Sequence, residues 1–237
     1  ALSLEYRKGR LVRAATRGSG ERGEDVTRNA RKVGNVPERL NVEVDVHVRG
    51  EVVMRCDIFE SKYSEVSPNP RNLAAGALRQ KRAEGKAKAS DLVFQAYDAK
   101  FPVAADRHPD SIDAPKTEYD SEILDWLSEV AGICPAPWKI HHASTSSEVT
   151  QLMNQTTEHW ANIRDQHPFE IDGVVFKVDS LTTRDLLGMT AHHPRWALAW
   201  KFPPEEATSV ILEVNWQTGR TGVVTPVARI APQTVGG

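Results

Sequence analysis

Two lysines stand in otherwise apolar segments, where a charged side chain is unusual. Lys177 ends the apolar run that begins at Gly173, and Lys201 lies between Trp200 and Phe202 near the end of a second apolar run. Burying an ammonium without a partner is costly, so each lysine either reaches solvent at a strand end or meets an anion. Two such lysines on separate strands favour a shared polyanionic ligand.

Arginines supply a second set of anion-binding candidates. Arg71 and Arg79 are eight residues apart in a predicted helix, about two turns, so both could face one side. Arginine forks suit phosphates and nucleic acid, and the alternative is an ordinary solvated helix face. Arg17 opens a glycine-rich stretch over 17–25, whose backbone N–H groups either form an anion-binding nest or close a plain hairpin loop.

Several other kinds of chemistry are disfavoured. The adjacent histidines at 141–142 and 192–193 point apart on an extended chain, and no cysteine or carboxylate stands at ligand spacing from them. The two cysteines, Cys56 and Cys134, cannot complete a zinc site or a disulfide framework, and their scarcity fits a reducing cytoplasm. Neither a P-loop nor a Rossmann fingerprint occurs.

Composition narrows the class further. The chain of 237 residues has 30 Lys and Arg against 32 Asp and Glu, for a formal net charge of −2. This balance excludes a strongly basic protein that coats a polyanion, but it allows a local basic patch. The 40% hydrophobic and 26% charged residues are typical of a soluble globular protein. No apolar run approaches the roughly 20 residues of a membrane span, so we expect a cytoplasmic protein without membrane contact.

Hydrophobic periodicity predicts the elements that position these residues. Strands are predicted over 2–6, 10–16, 41–49 with 51–54, 92–97, 171–178, 197–202, 210–216 and 223–230, of which 171–178 and 197–202 are expected to be buried. Helices are predicted over 69–80, over 121–130, and from a capping box at Thr145 to Pro168. This order favours an α+β fold with mainly antiparallel sheets over a doubly wound fold.

Strand alternation and turn signals add two expectations. Alternation places Glu51 on the charged face of its strand, and it puts Asp172 and Lys177 on opposite faces of theirs. The Pro-Pro-Glu-Glu at 203–206 is the best boundary candidate. We expect one domain over 1–203 and the beginning of a second over 204–237, because two strands alone are marginal in water.

Seven segments, taken together and in order, resemble the NAD-dependent DNA ligases of bacteria. They read ATRG at 15–18, GEDVTRN at 23–29, VRGEV at 48–52, NPRNLAAGALRQ at 69–80, IDGVVFKV at 171–178, PRWALAWKFP at 194–203 and GRTGVVTPVA at 219–228. Each segment is short, but the ordered set is specific and spans most of the chain. The resemblance implies a nucleotidyltransferase (adenylation) domain over 1–203, followed by the first strands of an OB-fold over 204–237.

The resemblance also implies an activity. Ligases of this family use NAD to adenylate a lysine, move the AMP to the 5′-phosphate at a nick in duplex DNA, and release AMP when the 3′-hydroxyl attacks. Each step is a phosphoryl transfer that depends mostly on positioning and charge neutralisation. The implied cofactors are NAD, through its AMP moiety, and Mg²⁺. The implied partner is nicked double-stranded DNA, and the implied setting is a monomer in DNA replication and repair. Zinc is implied only for family regions that these residues do not include.

The family pattern assigns a role to each candidate residue. The residues expected at the adenylate are Arg17, Glu51, Lys177, Lys201 and Arg164, with Lys177 and Lys201 also supporting phosphoryl transfer. Those expected to contact nucleotide or DNA phosphates are Arg71, Arg79 and Arg195. Glu51 and Asp172 are expected to help hold the magnesium ion.

The chain departs from the family pattern at the nucleophile. The family's nucleophile is the lysine of a Lys-x-Asp-Gly motif, which does not occur among these residues and by family spacing would lie shortly before Ala1. Ser19 also stands where the family usually has Asp. We therefore expect part of a ligase that is inactive by itself. The alternative is a catalytically dead nucleotide- or DNA-binding module. The segments at 69–80 and 219–228 argue against an RNA ligase or capping enzyme, and an unrelated α+β domain would have to match all seven segments by coincidence.

Overall fold

The computed structural model describes residues 1–18, 23–81, 85–102, 106, 111–112, 114–191, 193–203 and 206–233. The sequence predictions that concern Ser19, His192 and the Pro204-Glu205 pair lie outside these residues. The chain divides into two compact units, Ala1–Lys201 and Phe202–Gly237. The fold is a mixture of helices and antiparallel sheets, as predicted. Within the described residues, no helix is long and apolar enough to cross a membrane.

A four-stranded antiparallel sheet forms the centre of the first unit. Its strands are β1 (Leu2–Arg7), β2 (Arg10–Thr16), β3 (Val46–Met54) and β4 (Leu92–Lys100), in the order β2-β1-β3-β4. The strands predicted over 2–6 and 10–16 are confirmed and form a hairpin: Lys8 and Gly9 both have positive φ, 48° and 70°, which gives a turn whose twist matches the flanking strands. Inward-facing side chains of the sheet, including Leu4, Tyr6 and Phe94, are fully buried.

Six helices accompany the sheets. They are α1 (Thr27–Ala30), α2 (Cys56–Lys62), α3 (Pro70–Arg79), α4 (Asp120–Trp126), α5 (Ser146–Ile163) and α6 (Leu181–Leu187) within the described residues. The helices predicted over 69–80, over 121–130 and after Thr145 are confirmed as α3, α4 and α5. α4 continues through a π-helical turn and ends at Gly132, whose left-handed φ of 77° suits glycine. The sequence did not predict α2 and α6.

Helix α3 turns one face to the core and one to solvent. The side chain of Asn69 accepts a hydrogen bond from the Asn72 N–H at 2.8 Å and so caps the first turn. Leu73, Ala74, Ala77 and Leu78 are buried, and the alternate face is exposed. The helix therefore presents its polar side chains outward from a fixed base.

The strand predicted over 41–49 starts later, at Val46, and this prediction was wrong for its first half. The N–H of Val44 bonds to the carbonyl of Val42 at 3.1 Å in a tight turn. The buried carboxylate of Asp45 accepts the backbone N–H of Lys8 at 2.6 Å, which draws the chain out of the sheet. Val44 lies in this turn and is still buried, so the sequence alternates apolar and polar residues there although the chain is not yet in a strand. Gly50 does not interrupt β3.

Two further strands of the first unit pair with each other. β5 (Gly173–Lys177) and β6 (Ala197–Lys201) form an antiparallel ladder. The prediction that these strands are buried was wrong, since the side chains of Val175 and Leu198 are 58% and 55% exposed. Val175 pairs with Ala199 and Leu198 pairs with Phe176, so the two exposed side chains lie on opposite faces of the ladder and neither face is fully covered.

The second unit contains an antiparallel pair, β7 (Ile211–Thr218) and β8 (Val224–Ile230). The two strands were predicted at these places and are confirmed. Every residue of both strands is exposed.

Candidate functional site

A β-bulge between β3 and β4 lies at the centre of the candidate site. Arg49 pairs with Asp98, but the next residue, Gly50, pairs with Ala96, so Tyr97 has no partner in the ladder. A Cβ at Gly50 would meet a buried Phe94 ring carbon at 2.5 Å and the carbonyl oxygen of β4 closer still, so the close approach of the strands requires glycine. Bulges re-aim a residue next to functional sites. Here the bulge turns the Tyr97 carbonyl away from the ladder.

Lys177, at the end of β5, occupies the position that the bulge opens. Its Nζ donates to the Tyr97 carbonyl oxygen at 2.7 Å and lies 3.4 Å from Oδ2 of Asp120. Its side chain is 24% exposed, and Nζ is 5.9 Å from the centroid of the Tyr97 ring. The sequence left two alternatives for this lysine, solvent or an anion. In the structure the ammonium is largely buried and has a carbonyl and a carboxylate as partners.

Asp120 links Lys177 to a second cation. Its carboxylate accepts a 2.8 Å hydrogen bond from Nη1 of Arg184 on α6, and both side chains are more than nine-tenths buried. Nε of Arg184 donates to the Val178 carbonyl at 2.5 Å, and the guanidinium lies 4.3 Å from the ring centroid of Trp196. Neither residue was predicted from the sequence: Asp120 directly precedes the helix predicted over 121–130, and Arg184 lies in a helix that was not predicted.

Charged residues predicted on β3 and at the start of the glycine-rich stretch after β2 also act on Tyr97. Burial and, next, the negative charge of Glu51 raise the pKa of Tyr97, and the positive charges of Arg49 and Arg17 partly offset this. Arg49 and Glu51 are both exposed on one face of β3, as alternation predicted. Lys177 thus contacts Tyr97, and the charges of Arg17 and Glu51 act on the same tyrosine, which was not predicted as a site residue.

The two arginines of α3 lie on its exposed face but contact different residues. Nη1 of Arg71 donates to the Asp172 carboxylate, and both side chains are exposed. Nε of Arg79 lies 3.8 Å from the Glu24 carboxylate, at the other end of the helix. Exposed pairs of this kind contribute little stability and can exchange for another anion.

The remaining predicted residues lie at element ends. Lys201 is the exposed last residue of β6, opposite Gly173, and Arg195 is exposed with its N–H bonded to the Gly188 carbonyl at 3.1 Å. Arg164 follows α5, where its Nε is 3.3 Å from the Asp165 carboxylate. In the described part of the chain, no direct bond joins Lys201 or Arg195 to Lys177, so their roles stay predictions.

The donor set for a magnesium ion is small. Among the described residues, no group of three or more His, Cys, Asp or Glu side chains could hold a metal ion. Of the two predicted carboxylates, Asp172 is paired with Arg71, and Glu51 is exposed on β3. These residues fit a magnesium ion only if substrate phosphates supply most of its ligands, which is the usual way that proteins bind Mg²⁺.

Together, the bulged sheet and the cations near Tyr97 describe an α+β domain with basic side chains beside one edge of its sheet. The chain belongs to the NAD-dependent DNA ligase adenylation domain family, whose model matches residues 1–205. The resemblance stated from the sequence is thereby confirmed.

Individual relatives agree with this family. The chain is 38% identical to DNA ligases of Bacillus licheniformis and Bacillus subtilis, over 248 and 244 residues, which is 100% of this chain and 34% of each relative. It is also 38% identical to a DNA ligase of Halothermothrix orenii, over 99% of this chain and 33% of that protein. The chain spans about a third of the length of the curated relatives it matches.

Proposed function

We propose that this protein is part of a DNA ligase that uses NAD to adenylate itself and seals nicks in duplex DNA. Family membership and the DNA ligase relatives support the reaction class. One observation carries the proposal for this chain: the Lys177 ammonium donates a hydrogen bond to the Tyr97 carbonyl oxygen at 2.7 Å. The charges of Arg17 and Glu51 act on the same tyrosine.

The chemistry of Lys177 fits contact with a phosphate. An ammonium has three N–H donors. One is taken by the Tyr97 carbonyl, and the 3.4 Å separation from Asp120 is too long for a strong charge-assisted bond. Lys177 can therefore donate to a phosphate oxygen, and with Arg17 it can neutralise the charge that builds up during phosphoryl transfer. In this proposal Glu51 accepts hydrogen bonds from the ribose hydroxyls.

The other candidate residues extend the same proposal. Lys201 and Arg164 contact the adenylate, and Arg195 contacts phosphates. Arg71 and Arg79 bind DNA phosphates in place of their present exposed partners. Asp172, once released from Arg71, joins Glu51 at the magnesium ion, which supplies charge neutralisation when bound.

We also propose an organisation for the chain. Residues 1–203 form the adenylation domain, and 204–237 form the first strands of an OB-fold. The exposure of every residue of β7 and β8 supports this, because a two-stranded ribbon needs further strands to bury its apolar side chains. We propose a monomer that acts in DNA replication and repair in the cytoplasm.

The nucleophile is expected in a longer polypeptide. No Lys-x-Asp-Gly occurs among the 237 residues, so we propose that they do not form the enzyme–AMP intermediate by themselves. The test is intact mass after incubation with NAD and Mg²⁺. The chain as given is compared with one that is extended upstream through the family motif and the nicotinamide-binding module.

We expect one AMP adduct, on the extended chain only. In the extended chain, Lys177→Gln should reduce adduct formation, whereas Lys139→Gln, at an exposed lysine outside the cluster, should not. An adduct on the short chain means that another lysine is the nucleophile. If neither folded chain forms an adduct, the ligase proposal fails and a non-catalytic nucleotide- or DNA-binding module takes its place.

A further inference from the structure

One buried carboxylate is shared by two cations beside the bulge. Oδ1 of Asp120 accepts Nη1 of Arg184 at 2.8 Å, whereas Oδ2 lies 3.4 Å from Nζ of Lys177. Strong charge-assisted bonds fall near 2.7–2.9 Å. Arg184 therefore holds the carboxylate firmly, and Lys177 is attracted to it without being fully paired.

The carboxylate itself is fixed by the connection that follows β5. The N–H of Asp120 donates to the Asp179 carbonyl at 2.9 Å, and the N–H and Oγ of Ser121 donate to the Asp179 carboxylate at 2.8 and 2.9 Å. The chain also forms a bridge between Tyr119 and Ser180. The first turn of α4 is thus clamped to the segment that leads from Lys177 into α6.

Arg184 is held from three directions. Asp120 binds Nη1, the Val178 carbonyl binds Nε, and Trp196 covers the guanidinium plane. Its Nη2 is buried without a hydrogen-bond partner among the described residues. An arginine so enclosed costs desolvation energy, which a purely structural contact could avoid with an apolar side chain.

We propose that Arg184 and Asp120 are positioning residues for Lys177: Asp120 holds the ammonium at the Tyr97 carbonyl, and Arg184 occupies enough of that carboxylate to leave the charge of Lys177 available to a phosphate. Two cations against one carboxylate leave one positive charge unbalanced. Only the identification of that phosphate as the adenylate's rests on the proposed function.

The groups that face Lys177 define the expected response. Asp120 reaches it from α4, Tyr97 from β4, and Arg184 stands behind Asp120 on α6; the charges of Glu51 and Arg17 act on the same tyrosine. Loss of Arg184 leaves the Asp120 carboxylate to Lys177 alone, so the amine pairs with it more tightly and is less accessible to a reagent. Loss of the Asp120 charge removes one of the two groups that hold the amine, which leaves it more accessible.

The first experiment measures how fast an amine-acylating reagent modifies Lys177 at a fixed mildly alkaline pH, with the site mapped by mass spectrometry and Lys139 as the internal standard. We expect Arg184→Gln to slow the modification by about threefold to tenfold and Asp120→Asn to speed it by a similar factor. Arg7→Gln is the matched control, because it removes an arginine from another buried aspartate, Asp45, and it should leave the rate unchanged.

Opposite responses distinguish positioning from structural support. If Arg184 and Asp120 only hold the fold together, both substitutions loosen the cluster and both speed the modification. Rates that move in the same direction, or that do not move, overturn the proposal. Arg184→Lys keeps the charge but loses the fork that reaches both Asp120 and the Val178 carbonyl, so it should slow the modification less than Arg184→Gln does. If Arg184→Gln does not fold, this variant and Asp120→Asn carry the test, and a faster modification in Arg184→Lys overturns the proposal.

A second experiment separates this proposal from the proposed function. AMP is titrated by calorimetry into the wild type, Arg184→Gln, Lys177→Gln and the double variant. We expect Arg184→Gln to weaken binding about threefold, and to have no further effect once Lys177 is replaced. Opposite labelling responses without any AMP binding support the positioning and overturn the nucleotide site. If AMP binding depends on Lys177 but the labelling rate does not respond to Arg184→Gln or Asp120→Asn, the nucleotide site is supported and the positioning proposal is overturned.

Discussion

Replacing Gly50 by alanine should damage both the sheet and the site that depends on its bulge. The added methyl would lie 2.5 Å from the Phe94 ring, nearly 1 Å inside the 3.4 Å at which ordinary contact begins, and closer still to the Gln95 carbonyl oxygen. Neither neighbour can yield easily, because the ring is fully buried and the oxygen belongs to the paired strand β4. Overpacking in cores costs about 1–3 kcal/mol, and we expect the upper end, about 3 kcal/mol.

The assay is urea unfolding followed by far-UV circular dichroism, with Gly76→Ala as the matched control. Gly76 lies inside α3, and a methyl there would meet nothing within 4 Å. Since glycine costs about 1 kcal/mol relative to alanine within a helix, this control should stabilise the protein by roughly that amount. The same change in residue type should therefore have opposite effects at the two positions.

The same substitution has a consequence for Lys177. Forcing the strands apart at Gly50 moves the Tyr97 carbonyl, so acylation of Lys177 should speed up in Gly50→Ala and remain unchanged in Gly76→Ala. If the free energy of unfolding of Gly50→Ala lies within about 0.5 kcal/mol of the wild-type value, the range of a neutral surface substitution, then the close approach of the strands does not require glycine.

Further expectations concern single contacts. Tyr6→Phe removes a buried hydroxyl that bonds to a backbone carbonyl at 2.9 Å, and it should lower the free energy of unfolding by about 1 kcal/mol in urea titrations. Burial tends to raise the pKa of Asp91, but hydrogen bonds from a tyrosine and a lysine outweigh it and lower that pKa below its usual 3.8. The ionised carboxylate thus stabilises the fold above about pH 3.8, and this contribution is lost as the pH falls further. The free energy of unfolding of Asp91→Asn should therefore depend less on pH below 4 than that of the wild type. The exposed control Asp125→Asn should keep the wild-type pH dependence. Asn69→Ala should cost about 1 kcal/mol in thermal or urea unfolding by removing the α3 cap. If Arg71 binds DNA phosphate, Arg71→Gln should reduce the slope of log affinity against log salt for a nicked duplex by about 1.

Local signals in the sequence predicted the local structure well. The capping box at Thr145 is an example: the Thr145 side chain accepts the Glu148 N–H at 3.2 Å, and such a contact within a few residues can be recognised without the rest of the chain. The strand over 41–45 failed for a non-local reason, because the backbone of Lys8 captures Asp45 from a distant hairpin. Helices α2 and α6 have seven residues each, about two turns, which is too short for a clear hydrophobic period.

The burial of strands could not be predicted from apolar residues alone. The runs around Val175 and Leu198 have the composition of a buried strand, and yet both side chains are more than half exposed. Composition shows that burying an apolar strand would be favourable, but only the tertiary structure shows whether another layer of the protein packs on it. The same limit applied to the candidate site. Family motifs indicated Lys177, but its partners, Tyr97 and Asp120, lie 80 and 57 residues away in sequence.

The Lys177 site should be sensitive to substitution at residues that touch no ligand. Three separate parts of the chain fix the ammonium. Gly50 permits the bulge, the bulge leaves the Tyr97 carbonyl to bind Lys177, and Arg184 binds the Asp120 carboxylate that lies beside it. Separation along the sequence does not show which residues the Lys177 ammonium depends on. The acylation rate of Lys177 should therefore change in Gly50→Ala and in Arg184→Gln, which lie in different elements. A substitution at the exposed Arg79 should leave that rate unchanged. Because one substitution releases the ammonium and the other tightens its ion pair, the two should move the rate in opposite directions. A common response to all three changes would mean that general loosening of the fold, rather than this local geometry, controls the lysine.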